Sequence, residues 1–271
     1  MAEDKAKIWG IIAVKGGVGK TTLVANLGCA LASTFKKSVL VVDSNVTAPN
    51  LGLHLGLINP KITLQDVLEG KEDVYKAVHL HDSGVQVIPA SLHAHQVDPT
   101  LLREKLDEVR EDFDYILVDS APGLDLELVG AIEASDEVII ISSLDFPTIS
   151  TTLKAIKLSE ELKVSIRGVI LNRVRGEDYE LTLPFVEDTL KTPIIGVVPE
   201  DEAVLKSISA KTPVVFYMPA SPASLAIRKI AATLIGEEYS ISLAQTLWQR
   251  LKIALKLQPK PVLSLEDLKR K

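Results

Sequence analysis

Seven short apolar runs recur along the chain, at residues 8–14, 38–43, 85–90, 115–121, 137–143, 166–172 and 193–199. They are β-branched and nearly unbroken by polar residues, whereas a strand with one wet face would alternate. The pattern predicts parallel strands covered on both faces. Between them lie segments with helical spacing and recognisable starts. Asp98-Pro99 precedes TLLREKLDEVREDF, Thr63 precedes LQDVLEG, and Asp145 precedes a segment opened by Pro147. Strands alternating with helices predict a doubly wound α/β fold, with a mainly parallel sheet of seven to eight strands and ligands at the strands' carboxyl ends. Residues 1–239 read as one domain and 240–271 as a tail.

The tail has its own pattern. In residues 242–257, at 100° per residue, Leu243, Ala244, Leu247, Trp248, Leu251, Ala254 and Leu255 fill an arc of about 140°, with Gln245, Gln249, Lys252 and Lys256 opposite. Such a helix fits the domain's own core. It equally fits a membrane interface, where Leu247, Trp248, Leu251 and Leu255 enter the acyl region and Lys252 and Lys256 face anionic head groups.

Charge sharpens that choice. The 271 residues carry a net −6, with an isoelectric point near 5.5. From residue 240 onward seven Lys and Arg face only Glu266 and Asp267, a net of +5, so residues 1–239 carry −11. An acidic body is a poor general surface for nucleic acid, and no specific nucleic-acid partner is expected. The basic tail suggests an anionic partner. Cys29 is the single cysteine, which excludes an intrachain disulfide and any cluster site built on cysteine pairs. MAEDKAK lacks the apolar core of a secretory signal, and no uncharged apolar stretch reaches the roughly 18 residues of a membrane span. A cytoplasmic protein is expected, peripheral on the inner face of the membrane if the tail binds lipid.

The candidate chemistry begins where the first strand breaks into KGGVGKTT, residues 15–22. Strand, glycine loop and helix together form a phosphate cradle. Gly16, Gly17 and Gly19 let successive backbone N–H groups turn toward an anion, and the helix adds the positive end of its dipole. Lys20 then reaches the β- and γ-phosphates and the Thr21 hydroxyl ligates Mg²⁺. Gly16, Gly17, Val18, Gly19, Lys20, Thr21 and Thr22 are the candidate phosphate contacts. Asp119 closes YILVD, where a carboxylate holds the Mg²⁺ shell through water. In the turn that follows, the Gly123 N–H can meet the γ-phosphate and move when it leaves. Asp43 ends the second strand.

A strict phosphate-loop pattern needs glycine at position 14, where this chain has Val14 and adds Lys15. That form resembles the deviant Walker A loop of the MinD/ParA family. The resemblance covers residues 8 to about 236 in motif order. It implies a P-loop ATPase that uses ATP and Mg²⁺ and forms a homodimer when ATP-bound, with Lys15 crossing to the partner's phosphates. VVDSNVTAPNLGLHLGL resembles the first switch of MinD-like proteins, so Lys15, Asn45 and Asp43 become the catalytic candidates. The same placement implies a share for Asp43 in the metal shell through water. The family has a second aspartate where this chain has Asn45, which orients water but takes no proton, so slow turnover is expected. Asn172 with Arg173, and Pro199 with Glu200, resemble adenine-contacting segments, and the lack of an NKxD pattern favours ATP over GTP. The tail resembles a MinD membrane-targeting helix. A MinD-like ATPase, attaching reversibly to membrane to position protein partners under an unidentified activator, is therefore expected. A ParA-like DNA-partitioning ATPase and a slow or non-hydrolysing adaptor remain as alternatives.

Overall fold

The computed structural model describes residues 5–93 and 97–239. Its strands are β1 (Lys7–Ile12), β2 (Val39–Asp43), β3 (His79–Leu80), β4 (Gln86–Ile88), β5 (Tyr115–Asp119), β6 (Glu137–Ser142), β7 (Ser165–Val174) and β8 (Ile194–Pro199). They form one sheet in the order β3-β4-β2-β5-β1-β6-β7-β8, parallel except for the β3–β4 pair. The seven predicted runs are seven of these strands. The eighth, β3, has only two residues, too short to leave a period in the sequence.

The helices are α1 (Lys20–Ser33), α2 (Leu51–His54), α3 (Leu64–Leu68), α4 (Leu102–Val109), α5 (Leu126–Glu133), α6 (Phe146–Glu161), α7 (Leu183–Leu190), α8 (Glu202–Ser209), α9 (Val214–Tyr217) and α10 (Pro222–Ile235). Alternate residues of β1 divide the core. Trp9 and Ile11 pack with α1, α9 and α10, while Ile8 and Ile12 face the side covered by α3 to α7. Both faces of the central strand are therefore dry, which is why its sequence does not alternate. Thr63, the expected cap, forms a capping box with Asp66, and Asp145 caps α6 by accepting from the Thr148 N–H at 2.9 Å. The segment after Asp98 starts as a 3₁₀ turn, Pro99–Leu101, before α4 begins.

Register sets the site. Asp43 lies beside Asp119 across β2–β5, and Ile11 beside Asp119 across β1–β5. Both carboxylates thus share one end of the sheet with the loop leaving β1. No helix among the described residues is long and apolar enough to cross a membrane. Residues 240–271, with the predicted amphipathic helix, lie outside the described residues.

Candidate functional site

The loop after β1 is shaped by glycine. Gly17 and Gly19 adopt φ of 78° and 90°, a region that side chains disfavour, and a Cβ on Gly19 would collide with the Asn172 amide. Gly19 is also the N-cap of α1 and makes no side-chain cap, whereas Asp125, Asp145, Asp201 and Ser221 each cap the helix that follows them. The first N–H groups of α1 therefore face the loop's cavity without a capping side chain, as an anion cradle requires.

Two lysines bracket the loop with opposite burial. The Lys20 ammonium is 2.9 Å from Asp119 Oδ1 and touches the Ser120 carbonyl oxygen, and the two side chains are 8% and 1% exposed. Lys15 is 41% exposed, its ammonium 3.1 Å from Asp145 Oδ1 and 2.7 Å from Thr148 Oγ1. Burial pushes the Asp145 carboxyl up. The hydroxyls of Ser143 and Thr148, the Thr148 N–H and Lys15 outweigh that and hold it down at about 2.

The paired carboxylates are under electrostatic stress. Asp43 is pushed up to about 8 by burial and then by the neighbouring Asp119 charge, against hydrogen bonds from Leu51 and Asn45 and the pull of Lys20. Asp119 Oδ2 is buried with no hydrogen-bond partner. Leaving such an atom unpaired costs about 1–3 kcal/mol, so this is a poor arrangement for stability alone. It suits a divalent cation, which would engage the orphaned oxygen and offset the second carboxylate. No three His, Cys, Asp or Glu side chains gather into a metal cage among the described residues. Magnesium needs none, since it keeps several waters and leans on substrate phosphates.

Asp43 also builds the segment after β2. Its Oδ2 accepts from the N–H groups of Asn50 at 3.1 Å and Leu51 at 2.9 Å, which fixes the start of α2. Asn45 is closed on its own loop, its Nδ2 donating to the Ala48 carbonyl at 2.7 Å and its Oδ1 accepting from the Ala48 N–H at 3.2 Å. Gly123 donates its N–H to the Val14 carbonyl at 2.9 Å, so meeting a γ-phosphate requires that bond to open.

A cavity runs along the loop, lined by residues 15–22 together with Asn45, Asn50, His54, Pro122 and Arg173. A second opens beyond Gly19 and Thr22, lined by Asn172, Arg173, Pro199, Glu200 and apolar residues of α8 and α10. The four predicted base-end residues therefore converge. Asn172 spends one N–H on the Val18 carbonyl at 2.7 Å, and the Glu200 carboxylate pairs with Arg175 at 3.6 Å. Asn50, His54, Asp145, Thr148 and Arg175 escaped the sequence reading. Only the Asp145 cap left a signal, and that signal spoke of a helix start.

Comparison with known proteins agrees with this geometry. The CobQ/CobB/MinD/ParA nucleotide binding domain model matches residues 9–214. An uncharacterized ATP-binding protein of Methanocaldococcus jannaschii is 40% identical over 232 residues, 84% of this chain and 88% of its own. The Pyrococcus furiosus cell division ATPase MinD superposes with a TM-score of 0.82 at 31% identity, covering 85% of this chain and 99% of that one. Pyrococcus horikoshii septum site-determining protein MinD, solved with Mg-ADP, gives 0.81 at 30% identity over 84% and 96%. A match that runs from the first strand to the start of α9 makes the chain a member of the MinD/ParA family of ATPases.

Proposed function

We propose that this protein is a slow MinD-like ATPase that dimerises on binding Mg-ATP, attaches reversibly to anionic membrane and there positions protein partners under an activator's control. The observation that carries the reading is the unequal placement of its two loop lysines. Lys20 is buried at the closed end of the cradle, where it would serve the β- and γ-phosphates of its own nucleotide. Lys15 stands on the surface, held by a carboxylate it can leave, and would reach a nucleotide bound by a second copy. Thr21, with Asp119 and Asp43 through water, would hold Mg²⁺, whose charge offsets that of the phosphate oxygens. Asn172, Arg173, Pro199 and Glu200 would frame the adenine. Residues 1–239 would act as the ATPase unit and 240–271 as a lipid-binding tail on the cytoplasmic face.

Hydrolysis here is mainly positioning: a water in line with the leaving ADP, the γ-phosphoryl held by Lys20 and the loop N–H groups. Asn45, with its amide committed to Ala48, offers water no carboxylate, so turnover is slow. The test is nucleotide affinity together with ATP-dependent mass by light scattering. Lys20→Ala is expected to abolish ATP binding. Lys15→Ala is expected to keep most of it and remain monomeric with ATP. Normal dimerisation of Lys15→Ala would sink the assignment.

A further inference from the structure

We propose that His54 is a further catalytic residue of this ATPase, its imidazole accepting the proton of the water that attacks the γ-phosphorus; the inference rests on the ATPase reading above. His54 ends α2 and lines the phosphate cavity beside Thr21, Thr22, Asn45 and Asn50. Its position is built from the site outward: Asp43 fixes the N–H groups of Asn50 and Leu51, and the His54 N–H closes one turn on the Asn50 carbonyl at 3.2 Å. The half-buried imidazole makes no hydrogen bond among the described residues, so a lone pair is available to the cavity.

Elimination points the same way. Lys15, Lys20 and Arg173 line this cavity as cations and accept nothing. Asn45 has no basic lone pair, and the Asp43 carboxylate already takes three backbone N–H groups. Asp119 gives Oδ1 to Lys20, and its buried Oδ2 is the oxygen that would serve Mg²⁺. Burial lowers the pKa of His54 below its ordinary value, against the pull of the Asp119 charge. That shift favours the neutral ring, which can accept a proton. As the water oxygen bonds to the γ-phosphorus, the bond from that phosphorus to the β–γ bridging oxygen breaks and ADP leaves. The water's proton passes to the free ring nitrogen and is then released to solvent.

The experiment is steady-state Mg-ATP turnover of the full chain as wild type, His54→Gln, His54→Ala, Asn45→Asp and the Asn45→Asp/His54→Ala double variant. Both His54 variants are expected to lower kcat by about tenfold or more, with KM within about twofold. A carboxylate at position 45 supplies an alternative acceptor, so His54→Ala should cost several-fold less in that background. A kcat within about twofold of wild type in both His54 variants overturns the proposal. So does an equal loss in the two backgrounds, or loss of ADP binding in both His54 variants, which would mark the residue as structural. Wild-type turnover no higher than that of Lys20→Ala would instead overturn the ATPase reading itself.

Discussion

The contact between Lys15 and Asp145 is the residue-scale feature that would most constrain the proposed dimerisation. An exposed ion pair is worth roughly 0–1 kcal/mol, so in the proposed dimer a nucleotide phosphate of the second copy would displace Asp145 with little loss. The same carboxylate carries a pH signature. Its folded pKa, about 2, lies below the ordinary aspartate value near 3.9, so its contribution to stability is complete above about pH 5 and is lost as pH falls toward 2. Asp145→Asn should therefore lower the neutral-pH urea midpoint and flatten its decline across that window, the two proteins converging as pH approaches 2. A decline as steep as that of the wild type would show that Asp145 is not one of the carboxylates responsible. Arg173 shows a different residue-scale constraint. It sits at φ 58° where the β7–β8 register shifts between Leu171 and Val174, a backbone that turns successive side chains, Asn172 and Arg173, toward Gly19.

Among the elements, α10 is tied to the rest by one buried cation. Arg228 on α10 donates to Thr34 Oγ1 at 3.1 Å, the Pro219 carbonyl at 2.6 Å and Ser224 Oγ at 3.2 Å, and also to the Val215 carbonyl. It clamps α9 and the end of α1 without any carboxylate among these acceptors. Removing it leaves the buried Val215 carbonyl unpaired, so Arg228→Leu is expected to lower stability by about 1–3 kcal/mol, read as a fall in the urea midpoint at unchanged slope. A loss under about 1 kcal/mol would show that water replaces the clamp. Nothing in the sequence announced Arg228, because a lone arginine in a helical pattern reads as a surface residue. The strands were legible for the opposite reason: Ile8 to Ile12 and Tyr115 to Asp119 are buried on both faces, and burial on both faces is written directly as an unbroken apolar run. The loop was legible because backbone geometry demands glycine at fixed positions. His54 and Asp145 were not, because their meaning depends on which other segments the fold brings beside them.

For the whole molecule, the decisive asymmetry is charge. Residues 1–239 carry −11 and the last 32 carry +5, so an anionic bilayer repels the body while attracting the tail. In the proposed tail helix Arg250, Lys252 and Lys256 would each add about 1 kcal/mol at a charged surface, and the apolar arc through Leu247, Trp248, Leu251 and Leu255 would be short. One such tail would bind marginally. Two tails held in one ATP-bound dimer convert the second insertion into an intramolecular event, so binding should require ATP and should weaken with salt. Sedimentation with anionic liposomes is expected to pellet the wild type with ATP and to leave it in solution with ADP. Trp248→Glu should remain in solution with ATP while still binding the nucleotide, since it sets a charge in the apolar face. Equal pelleting in all three cases would refute the membrane attachment. Failure to pellet under any condition, with salt-sensitive retention of duplex DNA by the ATP-bound dimer, would instead establish the +5 tail as a nucleic-acid contact and the protein as a partitioning ATPase.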